Sequence, residues 1–81
     1  MRAQLTFGCT YRALVALGPL EKAFLSPDEL QSGLEQYQLY GSVREVEAGY
    51  LVTAEFRGKS GTYTLPNEVQ NLEIVRKVSH G

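Results

Sequence analysis

The sequence predicts a mainly β fold with one helix, a small antiparallel α+β domain of about five strands with the helix inserted between the first strand and a meander. Three observations predict it. Apolar and polar residues alternate over residues 3–17 and again over 50–57, the period-2 signature of half-buried strands. Ser26-Pro27-Asp28-Glu29 is a helix start, and it opens an apolar stripe at helical spacing. Between residues 41 and 76, short apolar runs are punctuated by Gly49, Gly58, Gly61 and Pro66, as strands joined by turns require. The 81 residues support one domain, expected over 1–78 with a frayed tail at 79–81. A domain this small buries only about 60% of its unfolded-chain surface.

In chain order, Ala3, Leu5, Phe7, Cys9, Tyr11, Ala13, Val15 and Leu17 share one phase. That is long for a single flat strand, so Gly8 is expected to mark a bend or bulge. A rival reading has Thr10 capping a short helix over 11–17, with Gly18 as its C-terminal glycine and Pro19 as the stop. The uninterrupted phase favours strand. Gly18-Pro19 is a turn, and residues 20–25 read equally as a short strand or a helical turn.

At the helix start, the Ser26 hydroxyl is placed to accept the amide of Glu29, with Glu29 reaching back and Pro27 at the first helical position. Asp28 and Glu29 suit the positive end of the helix dipole. Leu30, Leu34 and Tyr37 follow at i, i+4 and i+7, a narrow stripe that packs by one face only. Gly33 costs about 1 kcal/mol relative to Ala, so this helix depends on its cap and on packing. Period 2 returns with Leu39, Gly41 and Val43, which ends the helix near residues 35–37.

The clearest strand is 50–57, where Tyr50, Val52, Ala54 and Phe56 take one face. Folding back around Gly58-Lys59-Ser60-Gly61 sets Phe56 opposite Tyr63 and Ala54 opposite Leu65, with both pairs on a common face. Upstream, Glu47-Ala48-Gly49 reads as a three-residue hairpin loop with Gly49 left-handed. Val43 and Val46 are three apart, so a bulge near Arg44-Glu45 is expected to keep both on one side. Pro66 ends the ladder for want of an N–H, residues 67–71 suit one 3₁₀ turn, and Leu72, Ile74 and Val78 mark a closing strand.

This run resembles the C-terminal part of SH3-like small barrels, in which a bent three-strand meander leads through a 3₁₀ turn into a closing strand. The residues that carry it are 41–46, 50–58, 62–66 and 67–75, a little under half of the chain. The resemblance implies a small barrel. Its peptide-binding members hold proline-rich ligands in an aromatic groove, of which Pro66 is the one position carried over, and a shared fold does not fix a function.

A net charge of −1 with no block of either sign implies no strong nucleic-acid or membrane field. The single Cys9 excludes an intramolecular disulfide. No basic leader precedes an apolar h-region, and no apolar run approaches 18 residues, so a cytoplasmic protein without a membrane partner is expected.

Candidate chemistry is sparse. Gly58-Lys59-Ser60 matches the end of a phosphate-binding loop, but Thr53 stands where that motif needs its first glycine. Asp28 and Glu29 are helix neighbours that do not face one another. Glu45, Glu47 and Glu55 lie on adjacent strands and read as a solvated sheet face rather than an acid/base pair. His80, the only histidine, lies in the tail, so neither a zinc site nor a Cys9 nucleophile finds a partner within the chain. Cys9 is expected as a small buried hydrophobe. No catalytic residue, metal ligand or cofactor is assigned, and the chain is not expected to be an enzyme.

The five tyrosines are the informative excess. Tyr37, Tyr50 and Tyr63 have the phase of core-edge residues, whereas Tyr11, Tyr40, Arg57 and Lys59 are the candidate protein-binding residues, since Tyr and Arg anchor interfaces. The expected function is a small non-catalytic interaction module or accessory subunit docking onto a larger protein. The first alternative is a nucleic-acid-associated SH3-like or KOW-like module, with Arg44, Arg57 and Lys59 along an edge beside Tyr40. The second is a metabolite-binding or enzyme subunit completed by homo-oligomerisation.

Overall fold

In the computed structural model, which describes residues 1–16 and 26–77, the elements run β1 (Arg2–Leu5), β2 (Thr10–Val15), α1 (Pro27–Glu35), β3 (Leu39–Val46), β4 (Gly49–Phe56), β5 (Gly61–Thr64) and β6 (Val69–Arg76). The fold is mainly β with one helix, and every ladder is antiparallel. Leu17, the Gly18-Pro19 turn, residues 20–25, Val78 and the tail lie outside the described residues.

Within the described residues the long alternation is strand, but in two pieces, Arg2–Leu5 and Thr10–Val15. A turn at Phe7-Gly8 separates β1 from β2, with Gly8 at φ 85°, and the two strands enter different sheets: β1 pairs only with β5, while β2 lies inside a four-stranded sheet of order β3-β4-β2-β6. Six strands thus replace the expected five or so. Among the described residues the ladders form these two sheets and no closed barrel.

The expected β4–β5 hairpin is not formed. β4 already pairs with β3 along one edge and β2 along the other, so no backbone donors or acceptors remain for a third neighbour. β5 crosses instead to β1, setting Tyr63 opposite Ala3. Residues 57–60 are therefore a connection between sheets rather than a hairpin turn. Phe56 and Tyr63 nevertheless meet edge to face, with ring centroids 5.3 Å apart. The backbone of Phe56 is instead tied to the β1–β2 turn: Gly8 N donates to Phe56 O at 2.8 Å and Phe56 N to Cys9 O at 2.9 Å.

Two details of the β3–β4 hairpin also differ from expectation. Its register runs unbroken from Leu39↔Phe56 to Val46↔Gly49, so there is no bulge at Arg44-Glu45, and Val43 and Val46 take opposite faces. The loop is the two residues Glu47-Ala48, with Gly49 already paired. Gly49 sits at φ 145°, and a Cβ there would stand 2.2 Å from Val15 O, which accounts for glycine. The register shifts lie instead on β6, between its Thr10 and Tyr11 partners and between its Arg12 and Leu14 partners, where Asn71 adopts φ 55°. β6 begins at Val69, directly after a turn closed by Val69 N donating to Pro66 O at 3.1 Å. No 3₁₀ segment spans 67–71.

The helix forms where the cap places it. Glu29 N donates to Ser26 Oγ at 3.2 Å, and the hydroxyl in turn donates to Glu29 Oε1 at 3.4 Å. Leu34 is buried, with Leu30 and Tyr37 half-buried beside it, and Gln38 at φ 63° redirects the chain into β3.

The core lies on one face of the four-stranded sheet. Tyr11, Ala13 and Val15 of β2 and Tyr50, Val52, Ala54 and Phe56 of β4 are buried there, under α1 and the β1–β5 ribbon, which contribute Leu34, Leu5 and Leu65. An apolar cavity of about 20 Å³ remains, lined by Ala13, Leu34, Leu39, Val52 and Val69 among others. Lacking polar partners, a space of that size stays dry.

Candidate functional site

Alternation decides what the opposite face of the sheet carries. Because Tyr50, Val52, Ala54 and Phe56 point into the core, Leu51, Thr53 and Glu55 point away from it, and the register places Arg44, Ser42 and Tyr40 of β3 beside them in that order. On the other side of β4, Leu14, Arg12 and Thr10 of β2 stand opposite the same three residues. β6 completes the rows with Gln70, Glu73 and Arg76. No described element packs over this outer face.

Its best-defined cluster is Tyr40, Arg57 and Glu55. Glu55 is the direct neighbour of Tyr40 across the ladder, and Arg57, two residues on, emerges on the same side. The guanidinium lies 5.2 Å from the centre of the Tyr40 ring, within cation–π range, while its Nε donates to Glu55 Oε1 at 3.2 Å. The Tyr40 hydroxyl donates to Gln38 Oε1 at 3.5 Å, and Arg57 N to Gln38 O at 2.8 Å. Two strands and the turn after α1 thus hold one tyrosine and one arginine in place. A second ion pair crosses the sheet, Arg12 to Glu73 at 2.5 Å. Both pairs are largely exposed, and each contributes at most about 1 kcal/mol.

Of the four predicted interface residues, Tyr40 and Arg57 are brought together. Lys59 is exposed in the β4–β5 connection, two residues beyond Arg57, where its carbonyl accepts the Tyr63 hydroxyl. Tyr11 belongs elsewhere: its ring is 3% exposed and its hydroxyl accepts Thr6 N at 2.8 Å, so it closes the β1–β2 corner from inside. Its odd-numbered phase, shared with Ala13 and Val15, was the available signal. Arg44 shares the face of Tyr40. Sequence reading missed Arg12, Arg76, Leu14 and Leu51, which reach the same face only through the β2–β4 and β2–β6 pairings.

The other candidate groups do not converge. Glu45 pairs across to the buried Tyr50, on the core side of the ladder, whereas Glu55 takes the outer side. Cys9 is a buried free thiol, and His80 lies outside the described residues. Among the described residues no three His, Cys, Asp or Glu side chains are grouped to hold a metal ion. No described helix is long and apolar enough to cross a membrane. An open groove of about 290 Å³ runs between β1 and β6, lined by Met1, Ala3, Gln4, Tyr11, Leu72 and Ile74 with Glu73. Comparison with protein-family models, with curated proteins and with solved structures finds no match to this chain.

Proposed function

We propose that this chain is a small non-catalytic interaction module or accessory subunit, acting in the cytoplasm, that docks onto a larger protein through the outer face of the four-stranded sheet around Tyr40, Arg57 and Lys59. The observation that carries the reading is the Arg57 guanidinium held over the Tyr40 ring and tied to Glu55. Tyr and Arg dominate interface hot spots, and side chains already ordered in the free protein lose less entropy on docking. Function then rests on a surface presented by a small β-rich scaffold.

Nucleic-acid binding is the second reading, favoured by the arginines that share this face. Against it, the net charge is −1 and Arg57 covers the one aromatic ring that the described residues place on the face, whereas single-stranded nucleic acid is held by stacking its bases on open rings.

Tagged wild-type protein and Tyr40→Ala serve as the test. A partner retained by wild type and lost from a variant with an unchanged melting temperature supports the reading. Retention of the same partners by Tyr40→Ala refutes it, as does binding to duplex or single-stranded DNA that falls steeply over a salt series with no protein partner.

A further inference from the structure

Four arginines, Arg12, Arg44, Arg57 and Arg76, stand on the outer face against two glutamates, Glu55 and Glu73, in a chain whose net charge is −1. The excess positive charge is therefore local to this face. Each glutamate is engaged by one arginine, Glu73 by Arg12 and Glu55 by Arg57. Arg44 and Arg76 are exposed and have no ion-pair partner among the described residues. In the row that Arg44 opens lie Leu51 and Leu14, paired with each other across β4 and β2 and half-buried, whereas the straight line from Arg44 to Arg76 runs nearest Thr53 and Arg12.

The register fixes the spacing. Arg44 is on β3 and Arg76 on β6, three strand intervals apart or about 14 Å, and their rows differ by the four residues from Leu14 to Thr10, or about 13 Å. The diagonal is about 19 Å, the reach of about six extended residues. A guanidinium pairs best with a carboxylate, in fork geometry.

We propose that the outer face receives an acidic segment of a protein partner, lying diagonally across the strands, with carboxylates on Arg44 and Arg76 and, at its Arg44 end, apolar side chains that reach sideways to Leu51 and Leu14. This rests on the docking reading above and supplies the partner's chemistry.

The probe is a short synthetic peptide with glutamates at both ends and leucines between them, titrated into the full chain at low and at physiological salt. Wild type is expected to bind it, with affinity falling as salt rises. Arg44→Glu with Arg76→Glu is expected to weaken binding tenfold or more, and Arg44→Gln with Arg76→Gln by a smaller factor. Arg2→Glu on β1, off this face, is expected to leave it unchanged. Absence of wild-type binding, equal binding by the double reversal, equal loss in Arg2→Glu, or tighter binding of an oligothymidylate than of the peptide each overturns the inference. Any of these results with partner capture still sensitive to Tyr40→Ala overturns the acidic segment alone; capture insensitive to Tyr40→Ala overturns docking through this face.

Discussion

Two identical substitutions, Gly41→Ala and Gly33→Ala, are expected to move stability in opposite directions. A Cβ at Gly41 would stand 2.0 Å from Thr53 O and 2.6 Å from Ala54 Cα, and both are backbone atoms of the neighbouring strand that no rotamer change can move. β3 must therefore lift from β4 near the Gly41↔Ala54 pair. Disturbing two ladder hydrogen bonds at about 1 kcal/mol each, less about 0.4–1 kcal/mol from a stiffer unfolded chain, leaves a net loss of about 1–1.6 kcal/mol. At Gly33, inside α1, an added Cβ meets nothing within 4 Å. Replacing a helical glycine there gains about 0.5–1 kcal/mol. Urea unfolding followed by circular dichroism reads both, provided the denaturant slope is unchanged. A neutral or stabilising Gly41→Ala would refute the close approach of β3 to β4, and a destabilising Gly33→Ala would refute the open site on α1.

Phe56 is fully buried and meets Tyr63 edge to face, so Phe56→Ala is expected to cost about 3–5 kcal/mol, a large share of the stability of so small a domain; a loss under 1 kcal/mol in the same urea assay would contradict its place at the junction of the two sheets. Ser26→Ala removes the acceptor for Glu29 N and is expected to cost about 1 kcal/mol, or about 4–8 °C in melting temperature; an unchanged melting temperature would show that the cap carries no stability.

The sequence alone determined whatever depends on neighbouring residues. Ser26 through Glu29 dictates the helix start because a cap is a contact across three residues, and the odd-numbered phase of Ala3 through Val15 dictates strand with a break at Gly8. The phase of 50–56 likewise separates the core side of β4 from its outer side, so the placing of Tyr40 and Arg57 was within reach of local reading once the β3–β4 hairpin was recognised.

Strand pairing was decided by the tertiary structure, because a strand has two edges and its sequence does not say which neighbours fill them. The phase agreement of Phe56 with Tyr63 and of Ala54 with Leu65 was compatible with a hairpin, yet β2 took the edge of β4 that the hairpin needed, and β5 went to β1. Apolar phase specifies which face of a strand is buried. It is equally satisfied by ladder pairing and by packing between sheets, and Phe56 and Tyr63 meet in the second way. The same pairing of β2 between β4 and β6 assembles Arg12, Arg44 and Arg76 on one face. Those arginines are scattered through the chain, and charges become a surface only when distant strands are laid side by side.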